Sequence, residues 1–170
     1  IDSPNFKRWT KRDAQEERDR IVDRAKKDIE ELTEYTRETC SGNRGFLAGI
    51  FVVNEEFIVN KDKRTVVCLL KGATLPEVYA RGIAKAHPND CFNTHIGKAI
   101  ALRRALGLEV PDEYLNAPQP TEVQVGDVVD SNSYFGEMVV SHEFDLDKGL
   151  INKGTYELLG GTKIVDDSRE

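Results

Sequence analysis

Between residues 10 and 38 the apolar positions Val22, Ala25, Ile29, Leu32 and Thr36 recur at alternating spacings of three and four, with Ile21 beside them. That period predicts an α-helix. Thr10, with Asp13 three residues on, forms a capping-box-like start. Glu16 and Arg20, Asp23 and Lys27, and Lys26 and Glu30 sit four apart and support the helix modestly. The apolar seam is narrow and the rest of the rod is charged. A seam of this kind suits packing against one other helix, as in an oligomerisation arm, or a solvated helix lying on its own domain.

After the turn-forming run Ser41-Gly42-Asn43-Arg44-Gly45 the period changes. Phe46–Val53 and Phe57-Ile58-Val59 are β-branched and aromatic, and 65–70 is a strong apolar strand. Residues 78–85 alternate Val78, Ala80, Gly82 and Ala84 against Tyr79, Arg81, Ile83 and Lys85. Turns at 60–63 and 71–74 separate them, so the pattern predicts successive antiparallel hairpins. His87-Pro88-Asn89-Asp90 leaves the last strand, and Asn93 or Thr94 caps a helix of roughly 13 residues. Ile96, Ala99, Ile100 and Leu106 mark its core face. Gly107 supplies a left-handed C-terminal cap with Leu108 folding back over it. Gly97 lies in the first turn, where glycine is costly unless a neighbour must approach closely.

Val110–Leu115 reads as a helical turn and Asn116-Ala117-Pro118-Gln119-Pro120 as a linker. Beyond it, Val123–Val129, Glu137–Glu143 and Lys163–Val165 read as short strands, parted by turns that include Asn132-Ser133 and Gly160-Gly161. Short strands at turn-rich spacing suggest a small SH3-like β-barrel region. The expected fold class is α+β. A long N-terminal helix and an antiparallel sheet with one docked helix occupy 1–115, a Pro-rich linker 116–122, and a small acidic β-domain 123–170.

Composition and charge narrow the chemistry. The chain has 170 residues, 32% of them charged, and a net charge of −6. No apolar run approaches the roughly 18 residues of a membrane span. Ile1 opens a polar segment rather than a signal peptide. The acidity is uneven: residues 1–120 carry 20 Lys+Arg and 19 Asp+Glu, whereas 121–170 carry 4 and 11. Residues 61–104 hold nine bases against three acids. The overall charge excludes long nucleic acid, which demands neutralised phosphates, but leaves room for a small anion in the middle of the chain. Cys40, Cys68 and Cys91 show no paired spacing, which fits a reducing cytoplasm. No metal, cofactor or catalytic constellation is proposed by the motifs, and an enzyme is not expected. Cys91 and His95, four apart, read as a small buried thiol and a capping-region histidine rather than a poised thiolate.

A binding reading is better supported. Arg81, Lys85, Asn93, Lys98, Arg103 and Arg104 converge with Phe92 and Asp90 around an amide-rich helix start. Arginine forks and helix amides hold phosphates. An exposed aromatic stacks a base, and Phe92 is either that aromatic or a core plug fixing the helix to the sheet.

The run Gly82-Ile83-Ala84-Lys85-Ala86-His87-Pro88-Asn89-Asp90-Cys91-Phe92-Asn93, followed by Ile96-Gly97-Lys98-Ala99-Ile100-Ala101-Leu102-Arg103-Arg104-Ala105-Leu106, resembles small bacteriophage proteins. In these, strands end in an A-x-C-x-P-x-D-x-F-N turn that precedes a G-K-x-x-A-x-x-R-A helix. Among them are the Thoeris anti-defence sponge proteins, which bind cyclic ADP-ribose isomers or cyclic oligonucleotides without degrading them. The resemblance spans Thr65 to Leu108. It implies sequestration of an immune signal in the cytoplasm of an infected bacterium. It also implies a homo-oligomer joined through the helix at 10–38. Phe92 would stack a base, Asn93 would read its edge or ribose, and Arg81, Lys98, Arg103 and Arg104 would hold phosphates. The chain departs from the pattern at Ala86, where cysteine is usual, and in its extra C-terminal region. The alternative, resting on the acidity of 121–170, is a DNA-mimic-like decoy that engages a basic host protein.

Overall fold

The computed structural model describes residues 10–39, 46–48, 51–72, 77–131, 135–161 and 163–169. Cys40, the turns expected at 41–45 and at Asn132-Ser133, and Ala73-Thr74 lie outside the described residues, as does the side chain of Thr36.

The first helix, α1 (Lys11–Thr39), starts where its capping signal falls. Thr10 N–H donates to Asp13 Oδ2 at 3.1 Å, and Asp13 N–H donates to Thr10 Oγ1 at 3.2 Å. Its buried face runs Gln15, Arg18, Ile21, Ala25 and Asp28, with Val22, Ile29 and Leu32 partly buried beside it. The apolar seam therefore packs within the chain, largely on the helix that follows the sheet. Along the described side chains, up to Thr33, the seam lies on the chain's own domain. Its polar members matter as much as its apolar ones, as the site below shows.

Four antiparallel strands follow in sheet order: β1 (Phe46–Ala48), β2 (Phe51–Asn60), β3 (Thr65–Gly72) and β4 (Val78–Lys85). The two apolar runs predicted at 46–53 and 57–59 resolve into a three-residue β1 and one continuous β2. Strand alternation separates two faces. Val53, Val66, Cys68, Leu70, Gly82 and Ala84 point inward, against α2 (Thr94–Ala105). That helix sits unusually close to the sheet because glycine stands at both contact points. A Cβ on Gly82 would lie 1.9 Å from Ala101 O, and one on Gly97 would lie 2.7 Å from Val66 Cγ2. The costly glycine of the first turn is thus explained by close approach.

Asn93, not Thr94, caps α2: its side chain accepts from His95 N–H at 3.0 Å and Ile96 N–H at 3.1 Å. At the other end Gly107 has φ 71°, and Leu108 N–H donates to Arg103 O at 2.8 Å. This is the expected left-handed closure, although the Leu108 side chain itself stays exposed. The short α3 (Asp112–Leu115) buries Tyr114 against the same core.

The second region is a mixed sheet of order β7-β6-β5-β8, built from β5 (Val128–Asp130), β6 (Glu137–Ser141), β7 (Leu150–Asn152) and β8 (Lys163–Asp166). β6 and β7 run parallel and the other pairs antiparallel. No pairing closes the sheet into a barrel among the described residues. β7 and the helix α4 (Lys153–Leu158) went unpredicted. β7 has only three residues, too few to show a period, and α4 depends on Asn152, whose side chain accepts from Thr155 N–H at 2.8 Å. Val123, Val129, Met138, Val140, Ile151, Tyr156 and Ile164 form the core of this region, joined by Cys91 from before α2.

The chain stitches its two regions together by backbone. Phe92 N–H donates to Val165 O at 2.9 Å, and Asp167 N–H donates to Phe92 O at 3.1 Å. The Pro-rich linker is fastened as well. Gln15 Oε1 accepts from Thr121 N–H at 2.8 Å and Glu122 N–H at 3.0 Å.

Candidate ligand pocket

The residues of the strand–turn–helix motif enclose a pocket of about 210 Å³. β4 contributes Ala84 and Lys85, the turn contributes His87 and Asp90, and α2 contributes Ile96, Ile100 and Arg104. Tyr114 from α3 and Gln119 from the linker complete the wall, with Arg18 reaching in from α1. The turn is held in shape by Arg64. Its Nη2 donates to His87 O at 3.2 Å and also to Asp90 O. Arg64 can do so because it takes a left-handed backbone, φ 53°, between β2 and β3. Gln119 braces the far side, its Nε2 donating to Asp90 Oδ1 at 3.1 Å and its Oε1 accepting from Cys91 N–H at 2.6 Å.

Five of the eight residues expected to bind ligand line this pocket: Lys85, Asp90, Phe92, Asn93 and Arg104. Their states differ from expectation. Phe92 is only 4% exposed and is pinned by its backbone to β8, so it is the core plug and not an open stacking surface. Asn93 is spent on capping α2 and on donating through Nδ2 to Asp167 Oδ1 at 2.9 Å. Arg104 stays exposed, with Nη1 donating to Ile83 O at 2.6 Å. Lys85 is exposed.

Arg81, Lys98 and Arg103 stand elsewhere. Arg81 projects from the outer face of the sheet, opposite the pocket. Lys98 lies over the Phe57 ring, Nζ 5.6 Å from its centre. Arg103 grips Asp28 of α1 with two hydrogen bonds of 2.6 Å each, and its Nη1 donates to Glu109 O at 3.0 Å. These contacts make Arg103 a tie between two helices.

The open anion site expected at the start of α2 is already filled by the chain. Ser168 Oγ accepts from Thr94 N–H at 2.9 Å, and His95 Nε2 lies 2.9 Å from Ser168 O. Asp167 brings a carboxylate to the same helix end, where the helix dipole favours negative charge. Arg18, 2% exposed, meets it there: Nη2 donates to Asp167 Oδ1 at 2.8 Å, and Nη1 donates to Pro118 O at 2.7 Å. Burial alone would raise the Asp167 pKa, but hydrogen bonds and charge from Arg18, with Asn93 and Arg169, outweigh it and hold the carboxyl below its usual range. Burial, then the Asp167 charge, push the Cys91 thiol pKa up, so it remains a protonated thiol, as the sequence suggested. Burial and neighbouring Asp28 push the Tyr114 hydroxyl up to about 12, leaving a neutral phenol at the pocket.

Compared with known protein families, with curated proteins and with solved structures, the chain matches none. The site must therefore be read from its own geometry. Arg18, His87, Tyr114 and Gln119 are not among the residues that the sequence marks as ligand-binding. Arg18 is far along the chain from the motif and Tyr114 lies just beyond its end, and no local pattern marks either. His87 and Gln119 sit in turn and linker segments that were read for their prolines.

Among the described residues no three His, Cys, Asp or Glu side chains cluster to hold a metal ion, and no helix is long and apolar enough to cross a membrane.

Proposed function

We propose that this pocket binds part of a small nucleotide-type anion and holds it without chemical change. The observation that carries the reading is the composition of the wall. Apolar Ala84, Ile96, Ile100 and Tyr114 stand beside exposed His87 and Arg104, and the nearby carboxylate, Asp90, is engaged by Gln119. An apolar floor suits a base or ribose, and a basic rim suits phosphate. At about 210 Å³ the pocket is smaller than the roughly 300–1,000 Å³ of sites that enclose a whole drug-sized ligand. A cyclic ADP-ribose isomer or cyclic oligonucleotide would enter by one nucleoside moiety, with its remaining phosphates outside. The resemblance to phage sponge proteins supports the same class, because the motif residues are those that build the pocket. On this reading the protein sequesters a bacterial immune signal. The acidic-decoy alternative would rest on the exposed acids of 121–170, among them Glu122, Asp130, Glu137, Glu143, Asp147 and Glu157, since Asp127, Asp166 and Asp167 are buried within the fold.

The test is a thermal-shift and calorimetric screen against cyclic ADP-ribose isomers and cyclic oligonucleotides. A ligand at a hundredfold excess over its Kd stabilises the fold by about 2.7 kcal/mol. Chromatography of the ligand released by heating should return it intact. The variant Arg104→Ala should keep its melting temperature and weaken binding more than tenfold, in line with the loss of a charge-assisted contact of about 1.5–3 kcal/mol. A screen in which no member of the class stabilises the wild-type protein defeats the proposal.

A further inference from the structure

The outer face of the first sheet has no covering element among the described residues. Ile58, Val67 and Ile83 stand side by side across β2, β3 and β4, paired in register as Ile58↔Val67 and Val67↔Ile83. Ile58 is 47% exposed and Ile83 is 44% exposed. One level along, Glu56↔Leu69 and Leu69↔Arg81 form a second row on the same face. Val78 is exposed beyond it. A contiguous apolar patch bounded by charge marks an interaction surface more than a solvated one. β4 is also an edge strand among the described residues.

The arrangement of charge across this face points to its occupant. We infer that the face docks on the same face of a second copy of the chain, sheet on sheet, about a two-fold axis parallel to β3. β2 and β4 both run antiparallel to β3, one on each side of it. Such an axis lays β2 of one copy over β4 of the other and β3 over β3. Residues of one register level stay at one level. Ile58 then meets Ile83 of the second copy, Val67 meets Val67, and Leu69 meets Leu69. The Glu56 carboxylate meets the Arg81 guanidinium, and the symmetry makes that ion pair twice. Two-fold interfaces require self-complementarity of this kind. Packed sheets cross at about 30° and lie roughly 10 Å apart, a spacing that side chains of this size fill.

The charges as they stand agree with that partner. Among the described residues Arg81 makes no hydrogen bond or ion pair, while Glu56 accepts from half-buried Lys71, Nζ to Oε2 at 2.7 Å. The face thus carries on one flank a carboxylate shared with Lys71 of the same face, and at the same level on the other flank a guanidinium with no ion pair among the described residues; Lys85 stands on this face as well. What favours a second copy is that the two-fold axis brings this guanidinium to the carboxylate of the other chain. Along its described side chains the seam of α1 packs on its own domain, and this sheet face is a separate apolar surface with no covering element among the described residues. The inference does not depend on the ligand proposed for the pocket, which opens on the opposite side of the sheet.

Sedimentation velocity of the full chain, without ligand, from about 1 to about 500 μM tests it, the span suited to an interface of modest size. Wild type should form a reversible dimer. Ile83→Glu should be monomeric throughout while keeping the wild-type circular dichroism and melting temperature. Glu56→Arg and Arg81→Glu should each weaken the dimer about tenfold or more, by setting like charges against each other. The double variant Glu56→Arg/Arg81→Glu should restore it to within a few-fold of wild type. A wild type that is monomeric across the range, or a dimer that survives Ile83→Glu, overturns the inference. So does a double variant no tighter than the single ones.

Discussion

Arg18 and Asp167 are separated by 149 residues, yet their side chains meet with Nη2 to Oδ1 at 2.8 Å, both sealed from solvent. Through Pro118 O and Asn93, this pair joins α1, the linker, the start of α2 and the end of the chain. Removing one partner leaves a buried charge without its counter-ion. Arg18→Ala or Asp167→Ala should therefore cost about 3–5 kcal/mol in urea unfolding. An apolar double variant, Arg18→Met/Asp167→Leu, should cost less than either single change. Equal losses would show that the pair is not energetically coupled.

The same pair sets an acid limit. Asp167 has a lowered pKa in the folded state, so its contribution is complete above the unfolded carboxylate value of about 4 and is lost as pH falls below it. Unfolding free energy of the wild type should drop on acidification from pH 5 to about pH 2. In Asp167→Asn that slope should flatten. An unchanged slope would remove Asp167 as its source.

Asp127 works in the opposite direction. It is 0% exposed; Gln124 N–H donates to its Oδ2 at 2.8 Å, while Arg169 Nε lies 2.9 Å from Oδ1 without forming a hydrogen bond to it. Burial dominates over these partners and pushes its pKa up to about 6. The folded state holds that proton more tightly than the unfolded state. Stability from Asp127 is therefore full below about pH 4 and falls as pH rises through about 6. Asp127→Asn should gain on wild type by about 1–3 kcal/mol as pH moves from 4 to 7. Parallel stability profiles for the two proteins would contradict this.

Arg103 and Arg104 are adjacent but should respond differently to alanine. Arg103→Ala breaks the two-pronged contact with Asp28 and should lower stability by about 1.5–3 kcal/mol, with ligand affinity per folded molecule unchanged. Arg104→Ala should leave stability within about 0.5 kcal/mol, as for most surface changes, and weaken binding. Paired denaturation and calorimetry separate the two effects, and a reversal between them would exchange their roles.

Gly82 sets the distance between β4 and α2. Its missing Cβ would lie 1.9 Å from Ala101 O and 2.5 Å from Ala105 N, both backbone atoms that move only with the helix. Gly82→Ala should cost at least about 3 kcal/mol or prevent folding, the severe end of overpacking. Gly97→Ala meets the tip of a side chain, Val66 Cγ2, and should cost less. Thermal melts that rank the two variants the other way would refute this account of the packing.

The local elements were legible in the sequence because their causes are local. The three-and-four spacing of α1, the reciprocal cap of Thr10 and Asp13, the alternation along β4, and the Asn93 and Gly107 ends of α2 are each encoded within a few residues. β7 and α4 were missed because a three-residue strand shows no period and a six-residue helix relies on one capping side chain. The site was half legible. The motif from Lys85 to Arg104 marked where the pocket forms, but the sequence could not tell a free arginine from a tied one.

That distinction belongs to the tertiary structure. A charge acquires its role from the partner that desolvates or neutralises it, and here the partners lie far apart along the chain. Asp28 engages Arg103 across 75 residues, and Asp167 and Ser168 reach the start of α2 across 74. By itself the sequence determined a long capped helix, an antiparallel sheet with one docked helix, and a basic centre within an acidic whole. Folding decided which of those charges are consumed as internal ties and which, such as Lys85, Arg104 and Arg81, remain exposed. The physical reason is that periodicity and capping act over a few residues, whereas burial and ion pairing depend on what the whole chain brings into contact.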